Sequence, residues 1–345
     1  MKNIPIDIAV VGAGPAGIST AVHLAKKGHS NLIVFERESY IGGVPNHCGH
    51  LGFGMMEFKR VLSGPDYAKK LAQLVLQHNI TVILNATLIQ IDANTLTFST
   101  PDGMIQYTAQ RTVLALGARE VPRSTRLISG TRSTNIITTG ALQRFVYMHN
   151  RSPFKKAVII GSEIVSFSAL MTAKHAGIKV QAILEEKESI DSYSILKPLT
   201  QYFLNTPVLT STKIIKIEGT DGNIKGVTIE HNNTVETIEC DGIIFSGMFT
   251  PESSVLQESF NDFNYCNNSV FVSQDFQTTH KNIFVAGNVI RGALAAFKCY
   301  AEGEKVALSV DASLKNTQQK TFVKIDVSKN IQWYFPSMID PQTKK

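Results

Sequence analysis

Ile6-Asp7-Ile8-Ala9-Val10-Val11-Gly12-Ala13-Gly14-Pro15-Ala16-Gly17 runs an apolar strand straight into a glycine-rich turn. An amphipathic helical stretch follows, then a second apolar strand, Leu32–Phe35. Glu36 and Arg37 come next, about twenty residues past the turn. This strand–loop–helix–strand–acid order is the pattern that binds a dinucleotide. Gly12 permits the tight turn. Gly14 has no side chain, so a pyrophosphate can reach the backbone. Gly17 lets helix and strand pack closely. Ala13, Pro15 and Ala16 complete the cradle, where free N–H groups and the helix dipole face the phosphates. Glu36 can accept hydrogen bonds from both hydroxyls of an adenine ribose, with Arg37 beside the base.

The pattern has a degraded second copy. Ala157–Ile160 reads as a strand, and Gly161-Ser162-Glu163-Ile164-Val165-Ser166 stands where a second glycine loop belongs. A helix then runs to His175, and strand Lys179–Leu184 ends at Glu185. Glu163 and Ser166 replace the second and third glycines. A carboxylate where a pyrophosphate approaches costs Coulomb repulsion and space, so tight NAD(P)H binding there is doubtful.

Between and after these units come helix Pro65–His78 and short strands at Thr81–Leu84, Thr87–Asp92, Leu96–Ser99 and Thr112–Leu116. Hairpin strands follow at Lys213–Glu218, Gly226–His231 and Thr234–Cys240, then Gly242–Phe245. The chain returns through strand Asn282–Ala286 to a helix predicted over Gly292–Ser313. The expected fold is α/β, two nested Rossmann-like dinucleotide-binding domains carrying antiparallel β-meanders. The first domain covers 1–122 and 252–314, the second 123–251. A polar tail, 315–345, with an apolar patch at Ile331–Phe335, reads as a tail strand or a docking arm.

Composition narrows the class. The 345 residues are 43% hydrophobic and 18% charged, which supports sizeable cores and a soluble, cytoplasmic chain. No apolar run is long enough to span a bilayer. The net charge of +6 is scattered rather than blocked, so neither nucleic acid nor membrane is an expected partner. Cys48, Cys240, Cys266 and Cys299 form no CxxC pair and no metal-ligand spacing, and no metal is expected.

Three ordered segments resemble the two-dinucleotide-binding-domain flavoproteins, the pyridine nucleotide-disulfide oxidoreductase superfamily. They are the Gly12–Gly17 loop with Glu36, Leu114-Ala115-Leu116-Gly117-Ala118, and Ile283-Phe284-Val285-Ala286-Gly287-Asn288. The resemblance implies FAD in the first domain. Its pyrophosphate would lie over the glycine loop, and its ring near Gly43, Val44 and Ala115, Leu116 and Gly117. Its ribityl chain would meet Gly287 and Asn288, with the helix start at Ala295 and Ala296 facing the ring edge. Asn288 replaces the family's usual aspartate.

A narrower resemblance rests on Gly42-Gly43-Val44-Pro45, His47-Cys48-Gly49-His50, Gly117-Ala118-Arg119-Glu120-Val121-Pro122-Arg123 and Thr138-Thr139-Gly140-Ala141-Leu142-Gln143. These look like the FAD subunits of multi-subunit amine, opine and glycerol-3-phosphate-type dehydrogenases. Those subunits are similar to sarcosine oxidase alpha and hydrogen cyanide synthase B. The resemblance implies a small-molecule substrate, a second flavin subunit and a [2Fe-2S] partner. The redox cysteines of the dithiol branch fall at Pro45 and His50 here, so disulfide reduction is not expected. His47, His50 and Cys48 are the candidate reactive side chains, with the histidines as proton relays. The alternatives are a stand-alone NAD(P)H-dependent flavin reductase and a non-catalytic FAD-binding scaffold.

Overall fold

The computed structural model describes residues 3–341 apart from 261, 317–320, 329 and 332. The chain divides into two compact units. The first comprises 1–46, 52–119 and 250–345, and the second 47–51 and 120–249. The short segment His47–Leu51 therefore groups with the second unit, not with the first, where the sequence reading put it.

The first unit is built on a seven-stranded sheet. Strand Asn3–Val11 lies parallel to Leu32–Phe35 on one side and to Gly103–Leu114 on the other. The buried residues Ile8, Val10, Val34, Phe35 and Leu114 of these three strands form a near-continuous apolar layer, as a sheet covered on both faces requires. Phe35 stacks on Phe98 with ring centroids 4.1 Å apart. The strand expected at Thr112–Leu116 is instead the end of one twelve-residue strand, Gly103–Leu114. Its first part pairs antiparallel with Thr95–Thr100, and its last three residues pair parallel with Ile283–Val285.

Helix Pro15–Lys26 packs on this sheet and buries Ile18, Ala21, Val22 and Leu24. The long C-terminal helix covers Ala296–Lys315, starting four residues later than predicted. The Asn288 side chain explains the delay. Its Oδ1 accepts the Leu294 N–H at 2.8 Å, and Ala295 stays extended (ψ 147°). The helix therefore begins at Ala296, with Ala295 as its extended cap.

The tail is a returning arm within the first unit. Val323–Lys324 pairs antiparallel with Met338–Ile339. The Ser337 N–H donates to the Val272 carbonyl at 2.8 Å, and Phe335 stacks on Phe276. Of the apolar patch predicted there, Gln332 lies outside the described residues.

The second unit has its own parallel five-stranded sheet. The order is Ile136–Thr138, Gly242–Phe245, Lys156–Ile160, Lys179–Leu184, Val208–Leu209. Helix Ile164–His175 follows the central strand. The antiparallel meander Thr212–Thr220, Asn223–His231, Thr234–Glu239 shares a core with this sheet through Ile217, Val227, Ile229 and Phe245. Among the described residues no helix is long and apolar enough to cross a membrane.

Candidate functional site: the glycine-loop cradle and its internal copy

Three other chain segments, at Gly43, Ala115 and Gly287, converge on the first glycine loop. Gly12 has φ +106°, and a Cβ there would lie 2.3 Å from the Ala115 carbonyl oxygen. A Cβ on Gly17 would lie 1.9 Å from the Gly12 oxygen, so the helix starts in backbone contact with the turn. Gly43, also left-handed, sits 3.0 Å (from its would-be Cβ) from Gly14 Cα. Gly287 approaches Ala16 in the same way at 2.9 Å. Gly14 is different: a Cβ there would meet nothing within 4 Å. The space over Gly14, above the helix start, is therefore open. That is the geometry a pyrophosphate needs.

Glu36 ties this cradle from below. It is buried, its Oε2 accepts the Ala13 N–H at 2.7 Å, and its Oε1 accepts the Glu38 N–H at 2.9 Å. Each carboxylate oxygen keeps a second lone pair for a ribose hydroxyl. Arg37 is half exposed and pairs with Glu252 at 3.5 Å. Arg119 also pairs with Glu252, whose N–H donates to the Gly117 carbonyl.

At the far end of the cradle, the Gly287 N–H donates to Glu302 Oε2 at 2.6 Å, and Glu302 is bridged to the buried Arg291 at 2.6 Å. Asn288 Oδ1 accepts from Leu294 N–H and from the Cys299 thiol. Val44 is exposed; Ala115 and Leu116 are half-buried against the core. Glu302 and Arg291 carried no signal in the sequence, because a salt bridge and a backbone N–H as partners leave no motif.

The reactive-residue candidates separate. His47 is buried and its Nδ1 lies 3.4 Å from Gln143 Oε1, which also accepts from the Cys48 thiol at 3.5 Å. Gln143 in turn donates to Ser168 at 2.9 Å. Burial, with the Glu120 carboxylate adding to it, pushes the Cys48 thiol up to about 12. Glu120 is itself raised by burial, against the hydrogen bond from Gly140 N–H at 2.7 Å. His50 lies at the surface, with Nδ1–H donating to the Leu51 carbonyl at 2.9 Å. The structure thus joins His47 and Cys48 in one network through Gln143, a residue the sequence placed in a motif without a role.

The second unit repeats the framework of the first, residue for residue. Gly12 N–H donates to Phe35 O, and Gly161 N–H to Leu184 O. Ala115 N–H donates to Val11 O, and Ser246 N–H to Ile160 O. Glu36 Oε1 accepts from Glu38 N–H, and Glu185 Oε1 from Lys187 N–H at 3.0 Å. The side chains differ. The Ser162 hydroxyl, not a backbone N–H, meets Glu185 Oε2, and it also accepts the Asp191 N–H. Glu163, at the position of Gly14, accepts the Met248 N–H on Oε1 at 2.7 Å.

Two dinucleotide-type units, one with an open cradle and a buried ribose acid, define a flavin- or nucleotide-dependent redox protein of the doubly nested kind. The family model for pyridine nucleotide-disulphide oxidoreductases matches residues 6–308, and the chain belongs to that family. It is an FAD-dependent oxidoreductase. It is 23% identical over 350 residues to a soluble pyridine nucleotide transhydrogenase of Aliivibrio fischeri, covering 90% of this chain and 70% of that one. The thioredoxin reductase structure of T. acidophilum superposes with a TM-score of 0.75 at 20% identity, covering 90% of this chain and 99% of that one. The L-proline dehydrogenase structure of P. horikoshii gives 0.68 at 16%, covering 92% and 57%. Other curated relatives are spanned over as little as 54% of their length.

Proposed function

We propose that this chain is the FAD subunit of a dehydrogenase that takes electrons from a small amine, amino acid, opine or polyol. In this reading it works beside partner subunits, a second flavin subunit and a small [2Fe-2S] protein among them. The observation that carries the reading is the sulfur inventory. All four cysteines are free, and Cys48, beside the flavin-type Gly42-Gly43 turn in sequence, is buried with its thiol held up to about 12. Pro45 and His50 stand at the positions of a redox pair. Disulfide exchange needs a thiolate and a second sulfur in reach, and Cys48, buried with its thiol raised and with no cysteine at Pro45 or His50, has neither. The fold it shares with an L-proline dehydrogenase supports a donor of the amino-acid class.

FAD supplies hydride acceptance when bound; the chain's part is to bind and tune. The open face of Gly14 and the first free N–H groups of helix Pro15–Lys26 hold the pyrophosphate. Glu36 fixes the adenosine. The start of helix Ala296–Lys315 would offer the positive end of its dipole to the ring. His47, oriented by Gln143, is the residue we assign to proton transfer, with His50 at the surface as an exchange partner with solvent.

The test is anaerobic dye reduction by the FAD-loaded protein, alone and co-purified with its genomic neighbours, across amines, amino acids, opines and polyols. Turnover with one of these donors supports the reading. Flavin bleaching by NADH or NADPH alone, with silence toward every donor, overturns it. That outcome belongs to the second reading, a stand-alone NAD(P)H-dependent reductase. The transhydrogenase and thioredoxin reductase likenesses favour it.

A further inference from the structure

The two units present the same device in two states, and Glu163 makes the main difference. Over Gly14 the first cradle is open. Over the matching position of the second, the Glu163 side chain crosses the loop, and its carboxylate reaches the Met248 N–H, the counterpart of Gly117. The crossing is tight. A Cβ added to Gly247 would lie 2.4 Å from Glu163 Oε1 and 2.5 Å from its Cδ. Arg126 fixes the receiving strand end, donating to the Ser246 and Gly247 carbonyls at 3.0 and 2.8 Å. Ser166, at the position of Gly17, is fully buried, so its side chain fills the space that a glycine leaves for the turn.

We infer that Glu163 is a built-in stopper that bars NAD(P)H from the second dinucleotide unit by occupying, with its own carboxylate, the path of the pyrophosphate. The residues present do not fit the nucleotide this family's second domain ordinarily takes. A diphosphate entering here would meet a fixed negative charge and a filled loop at the point where the first unit offers bare backbone. The ribose acid Glu185 survives, with Ser162 already on one of its oxygens. The sheet and helix are retained as scaffold.

The inference does not depend on which donor reduces the flavin, so its test reads binding directly. Full-length, FAD-loaded wild type, E163G, E163Q and E163G/S166G are titrated with NADH and with NADPH by calorimetry. Flavin absorbance and thermal midpoint serve as the check on folding. Wild type is expected to bind neither nucleotide below roughly 1 mM, and E163G to bind at least about tenfold tighter. E163Q, which keeps the bulk and removes the charge, falls between the two. E163G/S166G equals or exceeds E163G. Binding by wild type below about 0.1 mM overturns the inference. So does the absence of any gain in both glycine variants while their flavin content and midpoint match wild type.

Discussion

The Thr20 hydroxyl donates to the carbonyl of Gly303 at 3.0 Å, across 283 residues of chain, while also reaching back to Ala16 O at 2.9 Å. This contact clamps helix Pro15–Lys26 to helix Ala296–Lys315 at the level of the glycine loop. The clamp works only because position 303 has no side chain. A Cβ there would lie 2.3 Å from the Ala16 carbonyl oxygen and 2.8 Å from Ser19 Cβ. Backbone on one side and a buried serine on the other leave no flexible atom to move aside.

Gly303→Ala is therefore expected to push the two helices apart and destabilise the protein by about 1–3 kcal/mol, the usual cost of overpacking. Because Ala16 belongs to the dinucleotide cradle, FAD retention falls with it. Thermal melts and the flavin absorbance of the purified variant measure both. A variant with wild-type midpoint and full flavin content would show that the helices have room to spare.

Glu36 gives a sharper prediction for cofactor affinity. Its oxygens accept two backbone N–H groups, and in the proposed site they also take the ribose hydroxyls. Glu36→Gln removes the charge and sets an amide donor against one of those N–H donors. Hydrogen bonds to a charged group are worth about 1.5–3 kcal/mol. The FAD dissociation constant should rise roughly ten- to a hundredfold. Fluorescence quenching of added FAD by the apoprotein gives the number directly, and an unchanged constant would remove Glu36 from the site.

What the sequence made legible follows from the range of the interactions involved. The Gly12–Gly17 loop and Glu36 are local, set within one strand–helix–strand unit, and their periodicity and glycines can be read directly. The degraded second loop was equally plain, because Glu163 and Ser166 stand in a fixed spacing. The clamp was not legible, since a glycine inside a helical stretch does not reveal that its partner is Thr20. Nor was the late start of the C-terminal helix: Ala293 to Ala295 are helix-compatible residues, and the Asn288–Leu294 bond together with left-handed Gly292 (φ +89°) keeps them out of the helix. His47 and Cys48 were picked by residue type, but Gln143, which joins them, lies 96 residues from His47. Long-range polar partners of this kind leave no periodic trace.

The thiols should differ sharply in reactivity. Cys48, Cys240 and Cys299 are buried, and burial pushes each thiol to about 12. Only Cys266 is exposed. The thiolate is the reactive form, so at pH 8 the folded protein should label rapidly at one site per chain. Mass spectrometry after brief alkylation identifies it; fast modification of Cys48 would contradict the buried, hydrogen-bonded thiol described above. Cys48→Ser should leave flavin content unchanged.

Asp311 sets the acid limit of the first unit. It accepts from Lys315 Nζ at 2.9 Å, His29 Nε2 at 3.0 Å and lies 3.4 Å from Lys27 Nζ, joining the C-terminal helix to the turn after helix Pro15–Lys26. Burial alone would raise its carboxyl, but the hydrogen bonds from these three residues overcome that and lower it to about 2. A carboxyl held lower in the folded than in the unfolded state stabilises the fold above the unfolded value, near 4. That stabilisation is lost as pH falls through the folded value. The wild-type midpoint should therefore drop between about pH 4 and pH 2 more steeply than that of Asp311→Asn, which has nothing to protonate there. At pH 7 the variant should be less stable by about 1 kcal/mol, because the lysine partners are solvent-exposed and screened. Parallel melting curves for the two proteins across the acid range would show that the Asp311 cluster contributes nothing to the helix clamp.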